Sequence, residues 1–94
     1  MLTWNVTYHC HPGQRDAFYK ALCDLGVRAN SKAEPGNVAY DYYFAAETPD
    51  DLLLVETWTA PAFQKAHCET ERFARLQSLK AEYCSSVTID KFDH

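Results

Sequence analysis

No apolar run in this 94-residue chain approaches the roughly 20 residues of a membrane-spanning helix. Met1-Leu2-Thr3-Trp4 also lacks the charged and apolar regions that open an export signal. A basic excess is missing too: the formal net charge is −4, which withholds the cationic stripe that nucleic acid requires. Cys10, Cys23, Cys68 and Cys84 form no C-x-x-C pair. Each lies in or beside a periodic apolar segment, so they are expected to stay reduced and serve as small core residues. The chain contains no repeat, low-complexity tract or linker, and its length suits one domain, 1–94. These absences predict a soluble, cytoplasmic protein that binds neither nucleic acid nor membrane.

Aromatic residues are plentiful, with six Tyr, five Phe and two Trp. A chain this short buries only about 60–65% of its unfolded surface when alone. So much apolar surface implies a partner, and a second copy of the chain is the simplest one.

Leu2 to Cys10 alternates, with Leu2, Trp4, Val6 and Tyr8 on one face and Thr3, Asn5, Thr7 and His9 on the other. That period of two is a strand. His11-Pro12-Gly13 ends it, and from Gln14 the spacing turns helical. Phe18, Ala21, Leu22, Leu25 and Ala29 make one apolar stripe, in which Gly26 is expected to bend or loosen the helix. Glu34-Pro35-Gly36 closes it. Asn37 to Ala46 predicts a second strand with Val38, Tyr40, Tyr42 and Phe44 on one side. Glu47 to Asp51 is turn chemistry, and Leu52 to Trp58 is a third strand. Its unbroken Leu52-Leu53-Leu54-Val55 run suits a strand covered on both faces. Thr59 is the expected N-cap of a second helix with Pro61 in its first turn; Thr70 restarts it after a break near Cys68-Glu69. Phe73, Leu76 and Leu79 continue its inner stripe to about Tyr83, and Ser85 to Phe92 forms a last strand.

The pattern predicts an α+β, ferredoxin-like β-α-β-β-α-β fold: a four-stranded antiparallel sheet with its helices on one face. The open face is expected to pair with that of a second subunit, giving a homodimer closed into an α/β barrel.

Gly36-Asn37-Val38-Ala39-Tyr40, Glu56-Thr57-Trp58 and Ala66-His67-Cys68-Glu69-Thr70-Glu71-Arg72-Phe73 stand in an order and spacing that resemble the antibiotic biosynthesis monooxygenase family of dimeric α/β barrels. Pro12-Gly13 at the first helix fits the same pattern. The resemblance implies, among other activities, cofactor-free oxygenation of quinols or polyketide aromatic rings, haem degradation, or isomerisation of a phosphorylated signalling sugar. Fold likeness does not choose among them. The chain departs at Arg72-Phe73, where members resembling the small quinol oxygenases read His-Phe or His-Met. It departs again at Gln77, where the haem-degrading branch has an iron-ligating His; Gln77 is a poor haem ligand.

His67, four residues after Phe63, should point inward, where an imidazole can take a proton from a phenol or hydroquinone. The bland alternative is a core histidine bonded to a backbone carbonyl. Glu56 and Trp58 share a strand face: Glu56 would orient His67 or a substrate hydroxyl, and Trp58 would wall a flat substrate. The favoured reading is structural, with Trp58 in the core and Glu56 paired with a base such as Arg72. Tyr40 offers a hydroxyl, Phe63 and Phe73 an apolar lining, and Arg72 a positioning charge. Tyr8 and Asn5 lie on opposite faces of one strand, so at most one joins the pocket. The expected activity is cofactor-independent monooxygenation of a small aromatic or quinol with His67 as base. The alternatives are an isomerase or lyase of a carbonyl compound, or a non-catalytic ligand-binding or stress-response dimer. His9 and His11 align, but no third ligand accompanies them, so no metal site is expected.

Overall fold

The structure, a computed structural model, describes residues 1–94. Along the chain run β1 (Leu2–Cys10), α1 (Arg15–Leu25), α2 (Val27–Lys32), β2 (Asn37–Phe44), β3 (Asp51–Trp58), α3 (Pro61–His67), α4 (Glu71–Tyr83) and β4 (Cys84–Asp93). The strands form one antiparallel sheet in the order β2-β3-β1-β4, so the fold is ferredoxin-like α+β.

Directly paired residues share a face, which makes the two sides of the sheet legible from the register. Trp4, Val6 and Tyr8 oppose Glu56, Leu54 and Leu52 on β3, and Tyr40 and Tyr42 oppose Glu56 and Leu54 from β2. This is the side the helices cover: Tyr8, Tyr40, Leu52, Leu54 and Trp58 are all buried, and Phe18 and Leu22 of α1 close over them. The Tyr8 and Phe18 rings meet edge to face at 5.2 Å, a geometry their quadrupoles favour. Thr3, Asn5, Thr7 and His9, with Leu53, Val55 and Thr57, occupy the side that carries no helix. The Leu52–Val55 run is therefore split, with Leu52 and Leu54 buried while Leu53 and Val55 are only half-buried.

Several boundaries differ from the sequence reading, each for a local reason. Gly26 adopts φ 72° and divides the first helix outright into α1 and α2. The turn reorients the second segment, so Val27 and Ser31 face the core and Ala29 is exposed. In β2 the register slips between Asn37 and Ala39. The bulge throws Val38 out to 54% exposure instead of aligning it with Tyr40. Thr59 does not cap α3: the cap position is Ala60 in extended backbone, while the Thr59 N–H donates to the Gly36 carbonyl. Thr70 does cap α4, accepting from the Phe73 N–H at 3.1 Å. Cys23 is exposed rather than core. Cys10 and Cys84 are buried side by side with sulfurs 3.9 Å apart, and burial pushes the Cys84 thiol up to about 12.

Gly36 joins the end of α2 to the site. Its φ is +79°, and a Cβ there would lie 2.2 Å from the Phe63 ring. Both obstacles act at once, left-handed backbone and collision. Gly36→Ala is therefore expected to cost about 2–4 kcal/mol in a denaturant titration. Adding Phe63→Ala should return only the part due to the collision.

Candidate active site

The site grows from the two ends of β3 and α3. Glu56 and Trp58 are two apart on β3 and so point together toward the helices. The Trp58 Nε1–H donates to Glu56 Oε1 at 2.9 Å, and both side chains are buried. Burial is the largest influence on the Glu56 carboxyl and raises it above the ordinary carboxylate value, against the opposing pull of the Trp58 bond and the nearby His67 and Lys80. A group raised in the folded state stabilises most below its unfolded value of 4.5 and loses that contribution as pH climbs through the folded one. Glu56→Gln keeps an acceptor for Trp58 without the buried charge. The variant should melt higher than wild type at neutral pH, and the two curves should converge below the unfolded value of 4.5.

His67 closes α3 and is only 5% exposed. Its Nδ1 lies 2.8 Å from Glu34 Oε2. An ionised carboxylate only accepts, so Nδ1 carries the hydrogen and Nε2, which makes no bond within the chain, is left to act as base or donor. Glu34 Oε1 faces Arg72 at 3.6 Å, completing an Arg72–Glu34–His67 chain. Thr70 steadies it by donating to the His67 carbonyl while accepting from α4. The imidazole packs among Tyr40 (5.5 Å between centroids), Trp58 (5.2 Å) and Phe73 (5.5 Å).

The ring forms the wall between two spaces. Inside, a hollow of about 40 Å³ between sheet and helices is lined by Tyr8, Tyr40, Glu56, His67, Phe73 and Lys80, with Trp4 and Ile89 toward β4. Outside, a cleft of about 310 Å³ is lined by Glu34, Pro35, Phe63, Ala66, His67 and Thr70. Burial pushes the Tyr8, Tyr40 and Tyr42 hydroxyls far up, so they stay protonated.

The structure thus gathers His67, Glu56, Trp58, Tyr40, Tyr8 and Phe73 and leaves three expected residues elsewhere. Asn5 is on the helix-free side of β1, opposite Val55. Phe63 lines the outer cleft, 37% exposed. Arg72 turns to Glu34, and neither to Glu56 nor into the hollow. The carboxylate on His67 is Glu34, whereas Glu56 was the expected partner. Glu34 sits 33 positions away in the loop that reads as a helix stop, and its sequence signal is only an acid before Pro-Gly. Lys80 and Trp4 also line the hollow, with no motif in the sequence to mark either as a site residue. His9 is committed to Asp51 and Thr88, each at 2.8 Å. No helix is long and apolar enough to cross a membrane.

Solved structures share this arrangement of elements. PA3566 from Pseudomonas aeruginosa is similar at 28% identity and TM-score 0.88, over 99% of this chain and 92% of that one. An antibiotic biosynthesis monooxygenase is similar at 25% identity and TM-score 0.87, over 100% and 98%. A Nitrosomonas europaea protein shares the fold at 21% identity and TM-score 0.90, over 100% and 98%. No curated protein matches the sequence. The family model described as antibiotic biosynthesis monooxygenase matches residues 1–79. Since that match runs from β1 into α4 and takes in every residue of the hollow except Lys80 and Ile89, the chain belongs to the antibiotic biosynthesis monooxygenase family.

Proposed function

We propose that this protein is a cofactor-independent monooxygenase of a small quinol or related phenol, with His67 as the base and Glu34 as the group that orients it. One observation carries the reading: a buried imidazole, held at Nδ1 by a carboxylate and free at Nε2, faces a hollow walled by aromatic rings. Nε2 takes the hydroxyl proton, and the electron-rich phenolate reduces O₂ directly. A hydroquinone plus O₂ balances to a hydroxyquinone plus water, so the substrate supplies every electron. Protonated Tyr40 offers a hydrogen bond to a ring oxygen, and Trp58 holds Glu56 at the edge of the site.

At about 40 Å³ the hollow holds water-sized guests, against roughly 150 Å³ for a cavity that takes benzene. Admitting a ring requires its rim to open, and Ile89, 43% exposed, is the side chain placed to swing out. Oxygen uptake with a panel of hydroquinones tests the proposal. Consumption that saturates with one of them supports it, and none with any member refutes it. The helix-free face, where Leu53, Val55 and Tyr43 stand among polar neighbours, is assigned to a second copy of the chain. Sedimentation should give twice the mass of one chain; a monomer at micromolar concentration refutes that part.

A further inference from the structure

We propose that the hollow is built for an anionic ring, a dihydroxybenzene bearing a carboxylate, anchored by Lys80 and Trp4. The proposal rests on the reading of the hollow as the ring-binding site and adds the charge of the ring.

Lys80 lies four residues beyond Leu76, on the face of α4 that packs against the sheet. Its Nζ stands 6.0 Å from the centroid of the Tyr8 ring and 5.5 Å from that of Phe73. It has no carboxylate within ion-pair distance and no hydrogen bond, whereas Lys20 and Lys32 each reach an aspartate. A cation taken partly out of water without a counter-charge is unusual, and two π-faces replace only part of its hydration. Burial accordingly lowers the Lys80 ammonium below the ordinary lysine value.

The second observation is independent. Trp4 also lines the hollow, and its indole N–H is buried without an acceptor. An indole can only donate, so the orphaned group asks for an oxygen. The one carboxylate of the hollow, Glu56, has Oε1 engaged by Trp58, and no ion pair joins it to Lys80. The charged Lys80 and the Trp4 N–H, both unsatisfied, therefore line a single space with the unpartnered Tyr40 hydroxyl. A carboxylate has two oxygens and a negative charge to give them. Phe73 places the reacting end within the same guest's reach, since its ring is 5.5 Å from the His67 ring and from Lys80 Nζ alike.

The test compares gentisate (2,5-dihydroxybenzoate) with unsubstituted hydroquinone, titrated without oxygen and followed by calorimetry. Wild type should bind gentisate about tenfold to a hundredfold more tightly. Lys80→Met should erase the preference, and Lys80→Arg should keep most of it. Trp4→Phe should weaken gentisate several-fold without lowering Tm, because the orphaned donor disappears along with the indole. If the methionine variant fails to fold, Lys80→Gln replaces it. Equal affinities in wild type, or a preference that survives removal of the ammonium, overturn the proposal. Hydroquinone turnover by the same proteins once air is admitted leaves the oxygenase reading standing. If neither compound binds, the anionic ring is refuted together with the ring-binding site.

Discussion

His67→Ala is expected to lower kcat for oxygen consumption by about 10²–10⁴-fold, the usual contribution of a positioned base. The substitution removes the only imidazole in the hollow and leaves the Glu34 carboxylate facing Arg72 alone. The space left behind is shaped like the lost ring, so added imidazole should restore part of the rate, which a purely structural histidine would not permit. Glu34→Ala is the companion measurement. It leaves Nε2 in place but frees the ring to rotate and to change tautomer, so kcat should fall at least tenfold with KM little changed. Equal rates in wild type and His67→Ala would remove the base from the mechanism.

The largest effect on stability should come from Trp58→Ala, about 3–5 kcal/mol by denaturant titration. Trp58 is fully buried, packs on His67 at 5.2 Å, and is the hydrogen-bond donor to Glu56. Truncation opens a cavity and strips a buried carboxyl of its partner in one step. Trp58→Phe separates the two, since it retains most of the ring but not the N–H. It should cost about 1–3 kcal/mol, the penalty for an unsatisfied buried group. It should also raise the Glu56 carboxyl further, because the Trp58 bond is the largest of the influences that oppose the effect of burial. A phenylalanine variant as stable as wild type would show that the hydrogen bond contributes nothing net.

Much of the architecture was readable before any coordinates. The alternation of Leu2–Cys10 matches β1 residue for residue, because a strand with one face buried writes its period into the sequence. The break before Thr70 was equally plain, since N-cap chemistry is local. What escaped was set by tertiary contact. Val38 fits the alternation of its strand, yet a bulge ejects it. Glu34 looks like punctuation at a helix end, and only the packing of α3 against that loop makes it the partner of His67. Arg72 carries no mark of which acid it will choose. Lys80 reads as a solvated helix charge until its neighbours prove to be Tyr8 and Phe73. Local signals give elements and faces; the pairing of charges across elements follows from how those faces dock.

The strand order also has a bearing on how the chain reaches this state. Only β2 and β3, separated by six residues between Phe44 and Asp51, can zip together locally. β1 is the first strand made, yet it lies between β3 and β4 and must wait for the last-made segment before its second edge is sealed. One of the three strand pairings therefore joins the first strand to the last, which slows folding relative to a helical bundle of equal size. On a ribosome, β1 would stand with an open edge until β4 has emerged. Slowed release or truncation before β4 should divert the nascent chain toward aggregates.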